Sequence, residues 1–183
     1  MSRIHTIART LCLTLACLAP WQAWSASTTP TQEAQALWLA GKREQAIQFV
    51  EEALKKTPDE PRLRFALASM LMEQQQLARA KQLFVALTQD HPDLADPYNN
   101  LAVIHAAQGD YESARQALVR ALDLQPDHAQ AQENLGDVLL RLSQQAYERA
   151  LKLALGDDSS LKLKLLRVSQ INGELHGAKR PTP

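Results

Sequence analysis

Histidines, cysteines and adjacent carboxylates are the residues of this 183-residue chain whose types are suited to catalysis or metal binding. A protein zinc site needs several such side chains converging, commonly two of them one helical turn apart. His5, His91, His105, His128 and His176 are all far apart in the chain, and no His-x-x-x-His or cysteine cluster exists. Cys12 and Cys17 both fall in the first twenty residues. Glu51-Glu52 and Asp157-Asp158 are adjacent in sequence, a spacing that does not bring two side chains together on a helix face, and they read as solvated surface. There is no glycine-rich phosphate loop and no nucleophile elbow. The expectation is no metal, no cofactor and no enzymatic activity, so the chemistry to look for is that of a binding surface.

The elements that present this surface are helices. Only 6 glycines and few aromatic residues argue against an all-β fold, while abundant Ala, Leu, Gln, Glu, Lys and Arg favour helix. Basic and acidic residues balance at 20 each, which gives no electrostatic footprint for nucleic acid.

The first residues read as an address rather than as part of the fold. Arg3 and Arg9 precede an apolar run, Leu11 to Ala19, which Pro20 interrupts. Ala23 and Ser25 offer small residues around a cleavage point after Ser25. This is the design of a secretory signal, so residues 1–25 are expected to be removed and the protein to be periplasmic or secreted. Leu11 to Trp24 spans about 21 Å as helix, short of a bilayer core of about 30 Å. An uncleaved inner-membrane anchor and a lipoprotein attached through Cys17 are the alternatives. Removal leaves 18 basic and 20 acidic residues, a net charge of −2, and no thiol. Residues 26–30 read as a linker.

From there a 34-residue period sets in. Pro58, Pro92 and Pro126 form one column; Ala46, Ala80 and Ala114 form another, and Ala34, Ala68, Ala102 and Gly136 a third. Small residues let paired helices approach closely, and large ones at three- and four-residue spacing form the stripe that buries against neighbours. Proline ends the second helix of the first three units, and Gly156-Asp157-Asp158 is expected to close the fourth. No single unit can bury its own apolar face, so the units must stack into a solenoid.

Asp96 to His128 carries Tyr98, Leu101, Ala102, Gly109, Tyr111, Ala114, Leu118, Ala121 and Pro126 at matching offsets. In this it resembles the tetratricopeptide repeat (TPR) family, over about residues 30–155. The resemblance implies an all-α, right-handed superhelical solenoid of helix-turn-helix units. The array is expected over 31–158, in about four units (27–60, 61–94, 95–128 and 129–158). A capping helix over 159–171, begun by Ser159 or Ser160, and a disordered tail over 172–183 would follow. The second unit has Gln75 in place of the turn glycine, and the fourth shortens after Gly136. The amphipathic sequence 159–171 also suits a membrane-surface helix.

In TPR proteins the first helix of each unit lines a concave groove that takes peptides or partner helices. Carried over by position, the groove residues are Arg62, Phe65, Ser69 and Met72 in the second unit. In the third they are Asp96, Asn99, Val103 and Ala106, and in the fourth Gln130, Glu133, Asp137 and Arg141. The first unit lacks the basic clamp that grips acidic C-terminal tails, so a neutral or basic partner segment is expected. The implied role is an adaptor or assembly factor. The alternatives are a groove filled by the chain's own tail, through Lys179-Arg180, and a structural component that self-associates through Trp38 and Leu39.

Overall fold

The computed structural model describes residues 29–154, 156 and 158–177. The expected signal segment, its cleavage point and Cys17 lie outside them, as do Lys179 and Arg180. The described residues form eight helices: α1 (Pro30–Leu39), α2 (Arg43–Lys56), α3 (Pro61–Glu73), α4 (Leu77–Asp90), α5 (Ala95–Ala107), α6 (Tyr111–Leu124), α7 (Ala129–Leu153) and α8 (Ser159–Gly177). Each packs on the next along the chain. The helices α1, α3 and α5 form an inner layer, paired with α2, α4 and α6.

The alanine columns sit where the pairs meet. Ala34, Ala68 and Ala102 are buried on the inner helices, and Ala46, Ala80 and Ala114 on the outer ones. Around them, Val50, Leu71, Phe84, Leu87, Ile104 and Leu118 are completely buried. One core runs from α1 into α5 and a second from α5 through α7.

The turn inside each unit repeats in detail. Gly41, Gln75 and Gly109 all have positive φ, at 75°, 60° and 78°. The next amide in each case donates back to the helix just ended: Lys42 N to Leu37 O, Gln76 N to Leu71 O, Asp110 N to His105 O, all within 3.0 Å. This left-handed closure satisfies carbonyls that a helix end leaves open. The junctions between units repeat as well. The carbonyls of Pro58, Pro92 and Pro126 each accept from the side chain six residues on, Arg64 Nε at 2.6 Å, Tyr98 Oη at 3.5 Å and Gln132 Nε2 at 3.4 Å. Arg64 also holds Asp59 and Asp90, both at 2.6 Å, tying the junction to the end of α4.

The fourth unit departs from the expected pair of helices. Ser143 stands where the period would place the turn residue, and unlike Gln75 in the second unit it does not leave the helical conformation. The helix therefore continues, and α7 is a single helix of 25 residues. Asp158, rather than Ser159 or Ser160, begins α8: its carboxylate accepts from Leu161 N at 2.9 Å. Nor does the chain become a tail at residue 172. Helix α8 extends to Gly177, and Asn172 is 2% exposed. Its Nδ2 donates to Leu140 O and to Gln144 Oε1 (2.7 Å), fastening α8 to α7. At the other end, Pro30 is the first helical residue, not linker, because Thr29 and Gln32 form a reciprocal cap.

Two measurements check these turns. Gln75 bears a β-carbon in a conformation that costs L-residues about 1–2 kcal/mol, partly offset by the greater unfolded entropy of glycine. Gln75→Gly should therefore raise stability by about 0.5–1 kcal/mol, read as a higher urea midpoint with unchanged slope; no gain would mean that the turn carries no strain. Asp110 caps α6 by accepting from Ser113 N at 3.1 Å. That hydrogen bonding, with His105 nearby as a lesser cause, holds its carboxyl below the usual aspartate value. A lowered folded value means the cap stabilises above the ordinary aspartate range and is lost as pH falls through the folded value. Asp110→Asn should flatten that part of the acid-unfolding curve, and an unchanged curve would remove the assignment.

Candidate functional site

A groove of about 790 Å³ opens along the inner layer between α1, α3 and the start of α5. Its apolar surface comes from Phe65, Ala66, Pro61, Leu94 and Pro97. Phe65 is half-buried and meets the fully buried Phe84 edge-on, with ring centroids 5.7 Å apart. The floor of the groove is thus an extension of the core, which holds the ring in place.

The polar rim is mostly acidic. Arg62 is its cation, and Asp93, Asp96 and Glu73 are its carboxylates. Two of the acids are already positioned by other elements. Glu73 accepts from Trp38 Nε1 at 3.2 Å and faces Arg43 at 3.4 Å, while the Arg43 guanidinium lies 4.3 Å over the Trp38 ring. Asp96 Oδ1 lies 3.0 Å from His128 Nε2. Nδ1 of the same ring accepts from Ala131 N and caps α7, so the ring proton belongs on Nε2, donated to Asp96. The α5 end of the groove is therefore tied to the start of the next inner helix.

Of the residues expected from sequence, Arg62, Phe65, Ser69 and Asp96 line this groove together. Met72 instead packs against the first core and Ala106 against the second. Val103 is exposed on the same helix as Asp96 but is not among the residues that line this groove. Asn99 is 7% exposed and serves the fold: its Oδ1 accepts from Asn134 Nδ2 at 2.8 Å, and Asn134 Oδ1 accepts from Gln130. Gln130 also bonds Glu133. Asp137 is half-buried. Arg141 Nη2 reaches Asn172 O at 3.5 Å, because α8 covers that end of α7.

The groove also takes in residues that were not counted as site residues. Thr31 and Gln35 stand 34 residues before Phe65 and Ser69, at the first-unit positions where the basic clamp is absent, and the same columns place them in the groove. Trp38, expected at an exposed end as a self-association residue, is 6% exposed and lines the groove, because α3 supplies Glu73 as its partner. Leu39 beside it is 77% exposed. No group of three or more potential metal ligands occurs among the described residues. Nor is any described helix long and apolar enough to cross a membrane.

The Asn99–Asn134 pair yields a stability prediction. Asn99→Ala leaves a buried amide donor without its acceptor and should cost about 1–3 kcal/mol. Asn134→Ala should cost a similar amount, and the double variant less than the sum of the two. Additive losses in thermal unfolding would show that the contact does not form.

Two family models, both for the tetratricopeptide repeat, match residues 37–104 and 99–160. The mouse protein O-mannosyl-transferase TMTC1 is 36% identical over 110 residues, covering 57% of this chain but 12% of that protein. The chain thus spans only a small part of that relative. Among solved structures, YrrB, described as a TPR protein with an unusual peptide-binding site, is 26% identical with a TM-score of 0.53, over 57% of this chain and 54% of that one. TTC0263, a TPR protein of Thermus thermophilus, is 24% identical with a TM-score of 0.58, over 80% of this chain and 83% of that one.

Proposed function

This chain belongs to the tetratricopeptide repeat family, and from that premise we propose that it is a protein-interaction adaptor holding a partner's peptide or helix in the α1–α3–α5 groove. The observation that carries the reading is the groove itself: about 790 Å³, with an aromatic floor and an acidic rim. An apolar side chain of the partner would seat over Phe65, where burial of apolar area supplies the affinity. Neutral or basic residues beside it would meet Asp93 and Asp96, setting register and disfavouring acidic segments. The peptide-binding description of YrrB supports the same use of the fold.

The reading extends to location. Residues 1–25 would export the chain, and the adaptor would then act in the periplasm or outside the cell, on an assembly factor's substrate or subunit. A chain kept at the inner membrane, by an uncleaved segment or by lipid on Cys17, is the alternative. The transferase activity named for TMTC1 is not carried over, since the shared part is 12% of that protein.

Crosslinking and capture from the cell envelope would test the adaptor. Ser69→Arg fills the groove from a half-buried position on its wall, and Phe65→Ala removes the floor. Each should weaken partner capture at least about tenfold, as loss of a buried aromatic anchor does, with helical circular dichroism unchanged for Ser69→Arg. A partner captured equally by wild type and both variants would place recognition elsewhere and sink the groove reading.

A further inference from the structure

In the second and third units, one face of the inner helix is closed by the outer helix. Ala68 and Leu71 on α3 are 0% exposed, and Ala102 on α5 is 1% exposed. They share cores with Ala80 and Ala114 of α4 and α6. The same columns on α7 hold Gly136 and Leu139. Here the face is open: Gly136 is exposed, with nothing within 4 Å of where its β-carbon would stand, and Leu139 is 45% exposed. The segment that would have folded back over them is the continuation of α7 itself.

That continuation extends the same stripe. Gly136, Leu139, Ser143, Ala146, Ala150 and Leu153 follow one another at spacings of three and four residues. This is the spacing of a two-helix seam. Ala146 and Ala150 are exposed, and Leu153 is 80% exposed. The stripe is uncharged over about 26 Å of helix.

We propose that this stripe pairs with the same stripe of a second copy of the chain, antiparallel about a two-fold axis. The residue sizes are self-complementary in that register. Leu153 meets Gly136 of the second copy, Leu139 meets Ala150, and Ser143 meets Ala146, each contact occurring twice by symmetry. Every large side chain faces a small one, so the two helices approach closely without overpacking. Arg149, a cation on the margin, falls beside Leu142 of the second copy rather than another cation. A helix from an unrelated protein would match this order of sizes only by coincidence, whereas a second copy supplies it. One seam of this length sits at the small end of protein interfaces, so the pair assembles in the micromolar range.

Sedimentation equilibrium of the protein, up to about 200 μM, tests this. The wild type should shift from one to two chain masses across that range. Gly136→Arg points into open space in the protomer, so it should fold normally and stay at one mass. Ala146→Glu and Ser143→Lys should each stay at one mass alone. Their equimolar mixture should recover two, because the register sets the introduced carboxylate of one chain against the introduced ammonium of the other. A wild type at one mass throughout would overturn the proposal and leave the stripe to a helix of a different protein. A dimer that survives Gly136→Arg, or a mixture that fails to recover, would overturn the antiparallel register.

Discussion

The distance between the two helices of each unit is the constraint on which the rest depends. Small residues permit it: Ala34, Ala68 and Ala102 are buried in the same cores as Ala46, Ala80 and Ala114. A methyl group is the largest side chain that permits such an approach while leucines and phenylalanines at neighbouring positions interdigitate. Once the crossing is fixed, the turn must reverse the chain within about three residues. Gly41, Gln75 and Gly109 do so by adopting positive φ. The junction to the next unit must then be held, and the side chain that bonds the proline carbonyl does that at all three places.

The groove is a consequence of this geometry. Inner helices with close partners on one side are left with a concave face on the other. What sets one part of that face apart is local. Phe65 is supported from beneath by Phe84, and Glu73 and Asp96 are held by Trp38, Arg43 and His128. Side chains held in this way would lose less entropy if a partner bound over them. Farther along, Asn99 and Asn134 satisfy each other in the interior, and α8 covers the end of α7. The groove therefore lies between α1, α3 and the start of α5.

The same rules explain where the array stops. With Ser143 in the turn column, α7 runs straight and forfeits its own outer helix. Helix α8 closes one side of it through Asn172, but the crossing face of Gly136 and Leu139 keeps its small-residue pattern with no partner among the described residues.

Sequence alone determined the periodic part of this protein. Helix, turn and proline columns recur at 34 residues because each unit faces the same packing problem, and identical problems leave identical residues at identical offsets. That made the layers, the buried alanines and four of the groove positions legible: Arg62, Phe65, Ser69 and Asp96. Only the tertiary structure decided what the period cannot encode. Asn99 and Trp38 are polar or large enough to serve either core or surface. Their fate turned on single partners in the following unit, Asn134 and Glu73, each 35 residues on, and the residue types of these pairs do not recur from unit to unit. The fourth unit's shape turned on position 143, where Ser143 stays helical although Gln75, also not a glycine, makes the turn in the second unit. A helix with nothing to end it continues, and only the packed neighbours show which face that leaves open.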